Sequence, residues 1–218
     1  MNISDNSLKE QLKNVYFLSG GAYGGKTTMA KLIEKKYGFV RFRRGDHSDE
    51  YAAMADPKFQ PTLSANRSRH MDWHGYFSQP PRQYAKYLDD GLNEETGFAI
   101  VDLIKLSQGQ KVIADVAISP TILNQITEPS RVVLLFAPEE MTRKHYFDRE
   151  DKQDIYQLIK SFPDGNELLQ NVIEAMHYDA AAKRKSYYDS GFYCIERRED
   201  DTIEKTLKKI EKHFGLSK

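Results

Sequence analysis

The sequence predicts an α/β protein whose mostly parallel sheet is covered by helices on both faces. Short apolar runs alternate with helical patterns along the whole chain, as expected for strands joined by helical crossovers. Several of these runs are almost continuously apolar, which is typical of strands buried on both faces. The length of 218 residues suits one domain. Because no internal repeat or linker divides the chain, we expect a single domain over residues 1–218.

The N-terminal part predicts a strand and a helix on either side of a glycine-rich loop. Val15–Ser19 is β-rich and ends at the first glycines. A helical pattern follows, and Gly38 is expected to stop it because glycine readily takes the left-handed conformation after a helix. Residues 39–42 predict a second strand. From 43 to 81 the pattern breaks down into Arg, His, aromatic and Pro residues, so we expect this stretch to leave the core.

The middle of the chain predicts two helices, over 82–92 and 94–109, followed by an apolar strand over 111–118. Ser119 followed by Pro120 predicts the start of a short helix, because Pro is favoured at the first helical position.

The C-terminal part continues the alternation of strands and helices. A strand is predicted over 131–137, and the charged stretch of about 143–154 is expected to leave the core. A long helix over 166–188 and a last strand over 192–196 follow. A capping pattern that starts at Asp201 predicts the C-terminal helix.

Charge and cysteine content narrow the expected partners and location. The 32 basic and 32 acidic residues balance, so nothing in the net charge favours a nucleic acid or an anionic membrane. The single cysteine, Cys194, cannot form an intrachain disulfide, which suits a reducing compartment. No apolar run has the character of a signal peptide or the length of a membrane span. We therefore expect a cytoplasmic protein that binds neither membranes nor nucleic acid.

Residues 20–27, GGAYGGKT, fit the phosphate-loop pattern G-x-x-x-x-G-K-[ST]. Glycines allow backbone N–H groups to wrap phosphate oxygens, and the following helix directs its N-terminal amides at them. Lys26 is expected to bind the β- and γ-phosphates and Thr27 to offer a hydroxyl to Mg²⁺. A chance match is the alternative, but the strand before and the helix after favour a real loop. The predicted nucleotide-binding residues are Gly20, Gly21, Ala22, Tyr23, Gly24, Gly25, Lys26, Thr27 and Thr28.

Asp115 ends the apolar strand KVIAD, as expected for a carboxylate that reaches Mg²⁺. The alternative is a strand that simply ends in Asp at a turn. Val116 stands where motor-type ATPases commonly carry a second carboxylate, which argues against a dedicated hydrolase. No Asn/Thr-Lys-x-Asp guanine-reading motif is present. These features favour a kinase that passes the γ-phosphoryl of Mg-ATP to a bound acceptor.

With these motifs the chain resembles the nucleoside and nucleotide kinase group of P-loop proteins, which includes adenylate, cytidylate, dephospho-CoA and shikimate kinases. The resemblance lies in the loop 20–28, the Asp46 segment, Asp115, and the strand, Ala-Pro-Glu turn and Arg-bearing helix of 131–151. It implies a three-layer fold around a five-stranded parallel sheet. It also implies an acceptor-binding insert at about 43–81 and a lid at about 143–154.

The predicted lid carries the candidates for a cation that closes over the γ-phosphate. Arg149 is preferred because its polar surroundings predict a mobile, exposed segment, and Arg143 and Lys152 are the alternatives. A solvated charged helix would explain the same residues without any such role.

The segment after the second strand carries the candidates for acceptor binding, because ligands bind at the carboxyl ends of parallel strands. Asp46 is expected to anchor the acceptor hydroxyl or act as the base, and Arg43 or Arg44 to hold an anionic group. The alternative is an N-cap Asp beside two solvent-exposed arginines.

The stretch from Arg67 to Phe77 interleaves arginines with aromatic residues. Such a mixture can stack a base or bind single-stranded nucleic acid, or it can form a packed cover. We expect Trp73 to pack with Phe77, and we include Arg67 among the acceptor-binding candidates while leaving Arg69 open.

A nucleotide-binding switch with little small-molecule turnover is the alternative function. In that case the residues of 43–81 would form a surface for a partner. Acceptor-dependent ADP formation distinguishes the two functions.

Overall fold

The computed structural model describes residues 5–67 and 72–216 of the chain. Its five strands form one sheet in which every neighbouring pair is parallel, in the order β2-β3-β1-β4-β5. The strands are β1 (Val15–Ser19), β2 (Val40–Arg43), β3 (Val112–Asp115), β4 (Val132–Phe136) and β5 (Tyr193–Glu196). The predicted parallel sheet is therefore confirmed, with each strand at or within a few residues of its predicted place.

Helices fill the connections between the strands. The described α-helices are α1 (Asp5–Gln11), α2 (Lys26–Tyr37), α3 (Ser48–Met54), α4 (Pro61–Arg67), α5 (Trp73–Phe77), α6 (Pro81–Leu106), α7 (Pro120–Ile126), α8 (Glu139–His145), α9 (Gln153–Lys160), α10 (Gly165–Tyr188) and α11 (Ile203–His213). Short 3₁₀ turns cover Arg44–Asp46, Pro129–Arg131, Tyr146–Asp148 and Glu150–Lys152. The described part of the stretch 43–81 thus contains three short helices outside the sheet, α3, α4 and α5.

Both faces of the sheet are buried, because successive side chains of a strand point to opposite faces. Phe17 of β1 packs in one apolar cluster with Leu103 of α6 and other buried residues. Leu18, the next residue, belongs to a second cluster that includes Ile33 of α2 and Ile210 of α11. The fold is therefore consistent with three layers, in which helices cover a central sheet on both faces.

A third apolar cluster lies among the helices α5, α6, α9 and α10. Phe77 is 1% exposed in this cluster, whereas Trp73 remains 42% exposed although its ring stacks on Phe77 at 5.8 Å. The predicted packing is therefore confirmed for Phe77, but Trp73 only covers the cluster from outside.

The prediction of two helices over 82–109 is wrong, because α6 is one continuous helix of 26 residues. Gly91 lies inside it, and a helical glycine costs only about 1 kcal/mol relative to alanine. The buried residues Tyr84, Ala99 and Leu103 along the helix outweigh that cost. Packing along the whole helix thus decides its length, although both Gly91 and Gly97 lie within it.

The cap of the C-terminal helix also differs from the prediction by one residue. The Thr202 side chain accepts a hydrogen bond from the Lys205 N–H and caps α11. Asp201 instead accepts from the Arg198 N–H at 2.9 Å. The predicted stop at Gly38 is confirmed, since this residue takes a left-handed φ of 69° at the end of α2. Among the described residues, no helix is both long and apolar enough to cross a membrane.

Candidate functional site

The glycine-rich loop between β1 and α2 takes its shape from close packing against β4. Gly20 has a φ of 119°, which side-chain-bearing residues rarely adopt. A Cβ at Gly20 or at Gly24 would lie well inside van der Waals contact with the backbone of Leu135. Gly25, with a φ of 90°, leads directly into α2. The loop backbone therefore reaches a position that only glycine allows.

Ser19 fastens the beginning of this loop to the chain that follows β3. Its hydroxyl donates to the Ile118 carbonyl at 2.8 Å and accepts from the Ile118 N–H at 3.0 Å. This buried double contact was not predicted, because nothing in the local sequence relates two residues so far apart.

Tyr23, at the tip of the loop, is held between two side chains from other parts of the chain. Its ring stacks on His145 with 5.3 Å between centroids, and the Arg197 guanidinium lies 4.3 Å from the ring centroid. Arg197 also donates to the Tyr23 carbonyl at 3.2 Å. The tip of the loop is thereby joined to the end of α8 and to the chain after β5.

Lys26 directs its ammonium group into the loop. The Nζ donates to the Gly21 carbonyl at 2.6 Å and to the Gly20 carbonyl at 3.3 Å. None of the described carboxylates lies within ion-pair distance of it. Burial lowers the pKa of Lys26 to about 8, which the nearby charge of Asp115 partly opposes. An anion bound at the loop would therefore meet a lysine that lacks a counter-charge.

Thr27 and Asp115 meet at the C-terminal edge of two neighbouring strands. Leu18 of β1 and Asp115 of β3 are register partners, and the Thr27 hydroxyl donates to Asp115 Oδ2 at 2.5 Å. Hydroxyl and carboxylate oxygens suit Mg²⁺, which commonly completes its shell with water and substrate phosphates. Within the described chain no three His, Cys, Asp or Glu side chains form a metal-binding group. The donor set thus fits an Mg²⁺ ion that arrives with a polyphosphate.

Arg43 and Asp46 lie together at the outer mouth of the site. Arg43 Nη1 donates to Asp46 Oδ1 at 2.8 Å, and its Nη2 lies 3.3 Å from Asp151 Oδ2. The Asp46 side chain is about half exposed. Asp46 does not cap a helix with its side chain, since it sits in the 3₁₀ turn that follows β2.

Arg44 points inward, away from its exposed neighbour. Its Nη1 lies 3.2 Å from Glu95 Oε2 and 3.5 Å from the Leu92 carbonyl, both on α6. Both charged side chains are nearly buried, and the Arg44 Nε has no hydrogen-bond partner among the described residues. Sequence reasoning missed Glu95, although a glutamate among the buried positions of a helix is a signal of such a pair.

The predicted lid brings two of its three candidate cations to the site. Arg149 forms a two-pronged ion pair with Asp151, at 2.9 and 2.7 Å. The Lys152 side chain has no ion pair or hydrogen bond among the described residues, and burial lowers its pKa. Arg143 lies elsewhere, 4.0 Å from Glu174 of α10.

Two cavities meet at Lys26. The outer one, of about 490 Å³, is lined by residues 23–28 of the loop together with Arg43, Asp46, Arg149 and Arg197. The inner one, of about 310 Å³, lies beyond the loop. Its lining includes Gly20, Gly21, Lys26, Arg44, Asp115, Arg149, Lys152, Leu88, Leu92, Met176, Asp179 and Lys183. The last five of these come from α6 and α10, and the sequence analysis identified none of them.

The proposed role of Arg67 falls outside the described residues. Arg67 is the last residue of α4, but its side chain is not among those described, and neither is Arg69.

Comparison with known proteins adds no family assignment. The sequence matches no protein-family model, and no curated protein is significantly similar to it. The function is therefore argued from the residues of the site.

Proposed function

We propose that the protein is an ATP-dependent phosphotransferase of the P-loop kinase type, which moves the γ-phosphoryl of Mg-ATP to a small acceptor. The observation that carries the proposal is the Thr27–Asp115 hydrogen bond beside a lysine without a counter-charge. Both cavities are lined by Lys26 and Thr27, so two reactants have room on either side of Lys26.

The loop and α2 bind the phosphates in this proposal. Backbone N–H groups of 20–27 and the N-terminus of α2 attract anions, and Lys26 adds a full positive charge. Thr27 and Asp115 would hold Mg²⁺, which neutralises charge on the β- and γ-phosphates when it is bound. Arg149 lines both cavities and Lys152 lines the inner one. Both would stabilise charge on the moving phosphoryl group, and Arg149 would release Asp151 to contact it.

The phosphoryl group passes from the outer cavity to the inner one. Transfer of this kind depends on in-line placement and charge neutralisation more than on covalent chemistry. The inner cavity of about 310 Å³ favours a small acceptor. A cytoplasmic location would supply both ATP and Mg²⁺.

The test is a comparison of the wild type with Lys26→Ala in thermal unfolding, with and without ATP and MgCl₂. A ligand at 100 times its Kd stabilises the folded state by about 2.7 kcal/mol, so we expect a clear rise in Tm for the wild type. Lys26→Ala should lose most of that rise, because the variant lacks the ammonium group that would contact the bound phosphates. Its Tm without ligand should change little, since Lys26 bonds only to two carbonyls of the glycine-rich loop.

Lys35→Ala provides the matched control, because Lys35 is exposed on the same helix. It should keep the full response to ATP. If no nucleoside triphosphate raises the Tm of the wild type, the proposed function is wrong.

A further inference from the structure

One wall of the inner cavity combines apolar and charged side chains from α6 and α10. Leu88 and Leu92 of α6 and Met176 of α10 provide apolar surface, and Asp179 and Lys183 of α10 add two charged groups. A ligand that fits this wall has a carbon skeleton and at least one polar group.

Three carboxylates line this cavity, and two of them already have a role. Asp115 accepts from Thr27, and Asp151 pairs with Arg149 and Arg43. Asp179 Oδ1 lies 2.7 Å from Lys183 Nζ, and no arginine among the described residues pairs with this carboxylate. Asp179 is therefore the carboxylate of the lining that the proposed phosphate and metal site does not engage.

The arginines of the cavity are engaged by protein carboxylates. Arg44 pairs with Glu95, Arg43 with Asp46 and Asp151, and Arg149 with Asp151. The Arg44–Glu95 pair is nearly buried, so an acceptor phosphate that displaced Glu95 would leave a carboxylate buried without a partner. Lys26 and Lys152, the cations of the lining that have no ion pair among the described residues, are assigned to the transferred phosphoryl group in the proposed function. The remaining cations therefore disfavour an acceptor that must be held by its own phosphate.

On the basis of the proposed function, we propose that Asp179 binds and deprotonates the acceptor, and that the acceptor is an alcohol without a phosphate group. The hydroxyl oxygen of the acceptor attacks the γ-phosphorus and forms the new P–O bond. The bond from the γ-phosphorus to the β,γ-bridging oxygen breaks, and ADP leaves with that electron pair. The hydroxyl proton passes to Asp179 Oδ2 and then to water.

Lys183 positions Asp179 for this role. Its Nζ lies 2.7 Å from Asp179 Oδ1, which fixes this carboxylate in the lining of the inner cavity. The same Nζ lies 2.9 Å from Asp89 Oδ1 on α6. Burial raises the pKa of the Asp179 carboxyl, while Lys183 opposes the rise. A raised pKa makes a carboxylate a better proton acceptor near neutral pH.

The first experiment compares Asp179→Asn with Asp89→Asn. Both changes remove one carboxylate from Lys183 and the same charge, but Asp89 lines an outer groove between α6 and α10 and not the inner cavity. Asp179→Asn should lower the turnover of ATP, with water or an alcohol as acceptor, by about 10²–10⁴-fold. Asp89→Asn should stay near the wild-type rate, and both variants should keep the Tm response to ATP and MgCl₂.

The second experiment measures ADP formation with matched pairs of probes: nucleosides and hexoses, each beside its own phosphate monoester. Faster ADP formation with the alcohols supports the inference, and faster formation with the phosphate monoesters overturns the acceptor class. If no probe accelerates ADP formation, the rates of ATP hydrolysis are compared. Slower hydrolysis by Asp179→Asn than by Asp89→Asn supports the role of Asp179 as the base, and equal rates overturn it. A wild type that responds to ATP while Asp179→Asn is fully active removes this inference alone, whereas a wild type without any response removes the proposed function as well.

Discussion

The glycine loop and the helical wall opposite it shape the same site by different means. The loop depends on its backbone, because Gly20 and Gly24 leave no room for a side chain against Leu135. The wall depends on side chains such as Leu88 and Asp179, which meet only because α6 and α10 pack together. Substitution in the loop should therefore disturb the proposed phosphate site directly. The wall can change its side chains and with them the proposed acceptor.

The largest effect is expected from Gly20→Ala in the loop. The variant forces a φ of 119° on a residue with a side chain, and such backbone strain costs about 1–3 kcal/mol. The added Cβ also overlaps the Leu135 backbone, and overpacking costs about 1–3 kcal/mol more. Urea unfolding should show a loss of about 4 kcal/mol, the middle of the summed range, together with loss of the Tm response to ATP.

Gly45→Ala is the matched control on the other side of the inner cavity. A Cβ at Gly45 meets nothing within 4 Å, so its free energy of unfolding should change by less than about 0.5 kcal/mol. Equal stability of Gly20→Ala and Gly45→Ala would show that the loop does not pack closely against the Leu135 backbone of β4.

The next largest effect concerns the nearly buried ion pair between Arg44 and Glu95 of α6. Glu95→Gln keeps the shape and one hydrogen-bonding oxygen but leaves Arg44 charged and 13% exposed without its partner. Loss of one member of a buried pair costs about 3–5 kcal/mol, and the retained amide oxygen places the expected loss near 3. Because Glu95 lies outside the loop, the ATP-dependent rise in Tm should persist. This result would show that the Arg44–Glu95 pair contributes to stability without affecting the response to ATP.

Asp46→Asn serves as the comparison for this variant, since it weakens the neighbouring Arg43–Asp46 pair in the same manner. That pair is 30% and 51% exposed, and exposed pairs contribute about 0–1 kcal/mol. If the Glu95→Gln variant is as stable as the Asp46→Asn variant, water reaches the Arg44 guanidinium. The Arg44–Glu95 pair is then not buried in solution.

The difference between the glycine loop and the helical wall also explains which parts of the site could be predicted from the sequence. The loop and the strand that ends in Asp115 are local patterns, and the parallel sheet follows from their alternation with helices. Leu88, Glu95 and Asp179 come together only through the packing of two long helices, and the sequence predicted α6 as two helices separated at Asn93. The pairing of Asp151 with Arg43 and Arg149 was likewise not predicted, because residue spacing does not show which carboxylate a flexible arginine will contact.

The smallest predicted effect tests how much the loop tip depends on backbone and how much on side chains. Tyr23 has a φ of 59°, the only positive value among the described non-glycine residues, and its ring lies between His145 and Arg197. Tyr23→Ala and Tyr23→Gly both remove the ring, so the stability difference between them reports the backbone alone. The left-handed conformation costs an L-residue about 1–2 kcal/mol, but glycine loses more entropy on folding, by about 0.5–1 kcal/mol. We therefore expect Tyr23→Gly to be more stable in urea unfolding by about 0.5–1 kcal/mol. If Tyr23→Ala is the more stable of the two, the loop tip relaxes to a negative φ once the ring is gone, and the contacts with His145 and Arg197 are what hold it in the left-handed region.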